Sequence, residues 1–164
     1  MYVSNPLASF ARPATTPTYA SGQLVANSAT AGSVTPLQWT LGNAFGVAMF
    51  RLTRVRLYKS GTTGTNGSFR VHLYQGVAAP TVTNGDTGNW LSTGAANWLG
   101  NIDVTSLLTF SDGCAGTGSA AAGSELYIKA SAGANIYGLI EARAGYVGQS
   151  AETFTVVLEE LDSY

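Results

Sequence analysis

No stretch of ten or more residues repeats its apolar positions with the 3.6-residue period of an amphipathic helix, and that absence removes most folds at once. What remains are short runs rich in β-branched and aromatic residues, separated by clusters of Gly, Asn, Ser and Thr. The runs cover residues 19–30, 35–41, 47–60, 68–75, 98–104, 124–130, 135–144 and 152–161, about eight strands. Two packed antiparallel sheets are the natural closure for such a set, so the expected fold is all-β: a β-sandwich, jelly-roll-like, over residues 18–164.

Alternation within the runs adds detail. In SFRVHLYQ, Phe69, Val71 and Leu73 face one way and Arg70, His72 and Tyr74 the other. In VAMFRLTRVRLYKS, Phe50 and Leu52 share one parity while Val55 and Leu57 take the other, which places a β-bulge near Thr53 that re-aims Arg54 and Arg56. SGTTGTNG, between Lys59 and Ser68, reads as a hairpin tip, and AGTGSAAAG as another loop tip. Neither leads into a helix with the Lys-Ser/Thr of a phosphate-binding loop. Residues 1–17 hold three prolines and no sustained period, the marks of an extended N-terminal arm that is ordered by a partner surface. Phe10 and Arg12 lie in that arm as candidate contacts, and an isolated aromatic there is either a solvated residue or an anchor on a neighbour.

Charge decides what such a domain can bind. Eight basic and nine acidic residues in 164 give a nearly neutral, sparsely charged surface covered by Ser, Thr, Asn, Gly and Ala. There is no basic stripe for nucleic acid, and little repulsion between copies. No apolar run is long enough to span a bilayer, and the N-terminus lacks a basic start followed by an apolar segment, so the expectation is synthesis in the cytosol with no membrane partner. Cys114 is the only cysteine, which excludes an intramolecular disulfide.

Candidate chemistry is thin. His72, the only histidine, lies mid-strand with no cysteine or second histidine for a metal set, and reads as a residue of the outer sheet face. Of the carboxylates, Glu125 and Glu141 are candidates to face each other as a glycosidase pair, but strand carboxylates usually pair across the sheet, here with Lys129 or Arg143. In APTVTNGDTGNW, Asn84, Asp86 and Asn89 offer oxygen ligands at alternating spacing, but one carboxylate is little for calcium, and the closing glutamate is missing. These residues point to no enzyme, no cofactor and no metal. Trp90 and Trp98 offer large areas for a protein contact or, with Tyr74, for stacking on a sugar.

The segment FRVHLYQGVAAPTVTNGDTGNWL, continuing into NWLGNIDV, resembles a group of virion proteins of tailed bacteriophages. That group carries R-x-H-L-[YF], then APT, an Asn/Asp-rich loop, and a strand with [YW]LG and an I-D pair. The matching residues are Arg70, His72, Leu73, Tyr74, Ala79, Pro80, Thr81, Asn84, Asp86, Trp98, Leu99, Gly100, Ile102 and Asp103. YASGQLVANS resembles the group's Y-x-x-G-D-x-V opening, with Gln23 in place of the acid. The resemblance covers most of the chain after Tyr19. It implies a structural protein on the capsid surface, a decoration or cement protein that partners the major capsid protein and its own copies, often as a homotrimer. A fibre or tail protein that binds a receptor or carbohydrate would carry the same motifs.

Overall fold

The computed structural model describes residues 3–15, 17–41, 48–75, 83–87, 92–130 and 134–163. Strands follow one another with no α-helix among these residues: β1 (Val3–Ser4), β2 (Leu7–Ala11), β3 (Thr18–Tyr19), β4 (Leu24–Val25), β5 (Leu37–Thr40), β6 (Ala48–Lys59) and β7 (Phe69–Tyr74). A 3-10 turn at Ser92–Asn97 leads into β8 (Trp98–Val104), β9 (Leu108–Phe110), β10 (Gly113–Ser119), β11 (Leu126–Ala130), β12 (Asn135–Ala142), β13 (Tyr146–Val147) and β14 (Thr153–Ser163). All strand pairs are antiparallel.

A seven-stranded sheet runs β1-β14-β6-β10-β9, with β2 also on β14 and β11 also on β6. A five-stranded sheet runs β4-β12-β7-β8, with β5 also on β12, and β3 pairs β13 separately. Three ribbons are broken in the middle: β1/β2 on β14, β4/β5 on β12, and β10/β11 on β6. With each counted once and the short strands β3, β9 and β13 set aside, the first sheet reads first-eighth-third-sixth in chain order and the second reads second-seventh-fourth-fifth.

The inward positions of both sheets fill one core. Phe50, Leu52, Val55, Leu57, Phe154, Val156 and Leu158 come from the first sheet, and Trp39, Phe69, Val71, Leu73, Ile102 and Ile140 from the second. Trp39 Nε1 donates to Val156 O at 3.0 Å, so the largest core side chain also satisfies its polar atom across the sheets. The bulge falls where the alternation places it: Leu52 opposes Glu160 and Arg54 opposes Glu159, leaving Thr53 as the extra residue, and its hydroxyl donates to Glu159 O at 3.0 Å.

Three expectations are corrected. The segment 1–17 is not a detached arm: residues 7–11 form β2, which pairs with residues 153–157 of β14. The prolines at 6, 13 and 17 break the period of this segment without keeping it out of the sheet, because they flank the paired residues. SGTTGTNG is not a hairpin tip either, since it carries the chain from β6 in one sheet to β7 in the other. Finally, AGTGS of AGTGSAAAG is the last five of the seven residues of β10. Gly116 and Gly118 sit where the sheets approach: a Cβ there would lie 2.4 Å from Ser106 O and 2.1 Å from Asp103 O. Glycine serves in this strand because no side chain fits.

Candidate contact surface

Of the candidate contacts at the N-terminus, Phe10 is half-buried and stacks on Phe154, with ring centroids 5.7 Å apart. Arg12 is buried entirely. It follows β2, and its backbone N–H donates to Glu152 O at 2.9 Å. Its Nε donates to Tyr19 OH at 2.6 Å, and its Nη1 to Gln149 O at 2.6 Å while lying 3.7 Å from Glu152 Oε2. Lys59 Nζ meets the same carboxylate at Oε1, 2.8 Å away, and donates to Gly61 O at 2.9 Å. Tyr146 OH is hydrogen-bonded to Glu152 Oε2. Burial, then the neighbouring carboxylate, pushes the Tyr146 phenol well above its ordinary range. Two cations thus share one carboxylate, with carbonyl oxygens and the faces of Tyr19 and Tyr146 taking the remaining charge. In this chain Phe10 and Arg12 both hold the N-terminal strand to the body.

His72 has the parity expected of it, yet that face is covered. Leu24, Ala26, Val34, Tyr74 and Leu139 form a second small core on the outer side of the five-stranded sheet. His72 lies buried beside it, its Nε2 2.7 Å from Glu141 Oε2. Burial lowers the imidazole pKa, and the Glu141 hydrogen bond only partly restores it, so the ring is neutral and Nε2–H donates. Burial raises Glu141, but the bonds from His72 and from Arg143 Nη1 at 2.6 Å outweigh it together, and its pKa falls below the ordinary value. Arg143 is therefore the partner of Glu141. Glu125 lies just before β11, in the other sheet, so the two carboxylates form no pair. Arg70 grips Asp103 through two bonds of 2.6 and 2.8 Å.

Of the Asn/Asp-rich loop, residues 83–87 are described. Asn84 Oδ1 accepts from Tyr19 OH at 2.7 Å and from Ala26 N at 2.8 Å, and Asp86 Oδ2 accepts from Thr83 N at 2.7 Å. These oxygens close a turn and clamp it to β3 and β4, which leaves them ill-suited to a cation. Asn89 and Trp90 lie outside the described residues. Trp98 is 44% exposed, with its ring 6.3 Å from that of His72, whereas Tyr74 is fully buried and cannot stack on a ligand. Burial pushes the Tyr74 phenol up to about 12.

The exposed apolar residues that adjoin one another lie elsewhere, on the outer face of the seven-stranded sheet. Tyr58 opposes Thr155 on one side and Ala115 on the other, and Ala115 in turn opposes Leu108. One row further on, Phe110 opposes Gly113. Leu108 is 73% exposed, Phe110 53% and Tyr58 39%. Two adjoining hollows of about 410 and 240 Å³ flank Tyr58 and Phe110, lined also by Ser60, Asp112, Thr153 and Thr155 on one side and by Arg56 and Leu108 on the other. Among the described residues β9 forms one edge of this sheet and the β1/β2 ribbon the other. The sequence does not announce these apolar rows, because β9 is three residues long and four of the seven residues of β10 are glycine or alanine. The alternation of Leu108 with Phe110 was the one available signal.

No helix of the described residues is long and apolar enough to cross a membrane. Compared with known proteins, the chain matches no family model and no curated sequence.

Proposed function

We propose that this protein is a structural component of a tailed-phage virion, made in the cytoplasm of a bacterial host, which binds the capsid surface and its own copies as a decoration or cement protein. The observation that carries this is the outer face of the seven-stranded sheet: Leu108, Phe110 and Tyr58 expose contiguous apolar surface among Ser, Thr, Ala and Gly. A face of this kind excludes water against another protein with little charge to desolvate. The jelly-roll reading belongs here too, since the first-eighth-third-sixth and second-seventh-fourth-fifth ribbon orders are those of two nested Greek keys. The resemblance over FRVHLYQGVAAPT and NWLGNIDV supports the same assignment, with the major capsid protein as partner. Mixing the protein with undecorated phage heads and sedimenting them tests it. Saturable co-sedimentation that is lost in Leu108→Asp/Phe110→Asp is the expected result, and a protein that stays in the supernatant overturns the proposal.

Trp98 favours a second function, carbohydrate or receptor binding by a fibre or tail component, because it stands exposed beside the polar row of Asn101 and Asp103. A glycan array separates the two: binding abolished by Trp98→Ala supports this second function, and no glycan binding removes it.

A further inference from the structure

The structure assigns a modification site to the loop that carries the chain from β6 to β7: Asn66 deamidates spontaneously in the folded protein, whereas Asn84 is protected by the contacts of its side chain.

Asn66–Gly67 and Asn84–Gly85 are the two Asn–Gly pairs of the chain, and both carry the same chemistry. The backbone nitrogen of the glycine, once its proton has passed to hydroxide, attacks Cγ of the asparagine side chain. A C–N bond closes a succinimide ring, and the side-chain nitrogen departs as ammonia with a proton taken from water. Water then opens the ring at either carbonyl, which leaves aspartate or isoaspartate. Glycine favours the first step because no side chain crowds its nitrogen and its backbone turns freely. In a folded protein the rate is then set by how firmly the two reacting groups are held.

Asn66 is held loosely. It is exposed, and its side-chain amide makes no hydrogen bond with any described residue. The bond on the attacking nitrogen is local: Gly67 N–H donates to Gly64 O at 3.0 Å across a single turn. Asn84 is held from several directions. Its Oδ1 accepts from Tyr19 OH and Ala26 N–H, its own N–H donates to Ser28 O at 2.8 Å, and Gly85 N–H donates to Leu24 O at 2.8 Å. Ring closure there must first pull the side chain off Tyr19 and Ala26 and the nitrogen off Leu24.

The fold also accounts for a labile pair in an exposed loop. Asn66 has a φ of 57°, a left-handed conformation that asparagine tolerates better than most residues with a side chain. A Cβ on Gly67 would lie 2.7 Å from Leu107 Cδ1 and 3.0 Å from Gly64 O, so glycine is the residue that fits behind it. The turn between the sheets thus demands two residue types whose succession is chemically short-lived.

Deamidation makes the chain one unit more negative than its formal −1, so the product separates by ion exchange. The test holds the folded protein in mildly alkaline buffer and follows tryptic peptide 60–70, in which Asn66 is the one asparagine, beside peptide 71–129, which contains Asn84. Fragmentation mass spectrometry assigns aspartate and isoaspartate to each residue, and separates them from Asp112–Gly113, which forms the same ring by losing water. Peptide 60–70 should convert steadily. Asn84 should convert roughly tenfold or more slowly, because two hydrogen bonds to its Oδ1 must break first. In urea, where neither is held, the two rates should converge. Asn66→Gly keeps the left-handed turn and should remove the acidic product. Equal conversion of the two residues in the folded protein, a peptide 60–70 that changes only after unfolding, or an acidic product undiminished in Asn66→Gly would each overturn the assignment.

Discussion

Replacing Glu152 by Gln removes one charge and almost no volume, at the point where the N-terminal strand joins the body. Glu152, Arg12 and Lys59 all have side chains with no solvent exposure, and the carboxylate lies 2.8 Å from Lys59 Nζ and 3.7 Å from Arg12 Nη1. In the variant, two buried cations lose the only counter-ion they have among the described residues, and the amide NH₂ must point at one of two donors. Breaking a buried ion pair on one side costs about 3–5 kcal/mol. For a chain of this length that corresponds to a fall in Tm of roughly 6–20 °C. Urea titration followed by tryptophan fluorescence gives the same quantity at fixed temperature, provided the slope stays constant. Glu159→Gln is the internal control, because its partners Arg54 and Arg56 are exposed to water and screened, and it should move the midpoint far less. Adding Lys59→Met to Glu152→Gln should recover part of the loss, since one of the stranded cations is then gone. A Glu152→Gln protein that unfolds within about 1 kcal/mol of the wild type, or no more easily than Glu159→Gln, would refute the view that this cluster holds β2 in place.

Three further outcomes follow from the same structure. A chain beginning at Thr18 lacks β1, β2 and Arg12, exposes one side of β14, and should lose its cooperative melt; retention of a wild-type melt would return residues 1–17 to the status of an arm. Gly118→Ala puts a methyl group 2.1 Å from Asp103 O and should cost about 1–3 kcal/mol, whereas Gly145→Ala meets nothing within 4 Å and should be close to neutral in the same urea titration. His72 is held neutral in the fold, its pKa below that of the unfolded chain, so the unfolded state takes up the proton first as pH falls. Its contribution is complete above the ordinary imidazole pKa of about 6.5 and is lost as pH drops through the lower folded value. Midpoints measured from pH 8 downward should therefore fall less steeply in His72→Gln than in the wild type, and equal slopes would refute the assignment.

The strands that alternate strongly were legible before any coordinates. Phe69, Val71 and Leu73 inward, and the switch of parity at Thr53, follow from the two-residue period alone. Three features escaped for physical reasons. β10 has glycine where the sheets nearly touch, and glycine in a sequence reads as a turn. β2 lies between prolines and owes its order to Phe154 and Glu152, about 140 positions away, which no local pattern reports. His72 was assigned to the right face, but the cover supplied by Leu24, Ala26 and Val34 is a tertiary event. The candidate surface was the least legible, because Tyr58, Leu108 and Phe110 come together only through strand pairing.

In the seven-stranded sheet, β14 stands between β6 and the β1/β2 ribbon and touches every part of it that the N-terminus needs. On the ribosome, residues 3–11 therefore emerge first and wait longest: their docking site does not exist until residues 153–163 have been translated, and β6 keeps one bare flank for the same interval. The seven-stranded sheet cannot close until β14 joins the β1/β2 ribbon to β6, and a ribosome that stalls before Thr153 leaves two sheet edges open to aggregation.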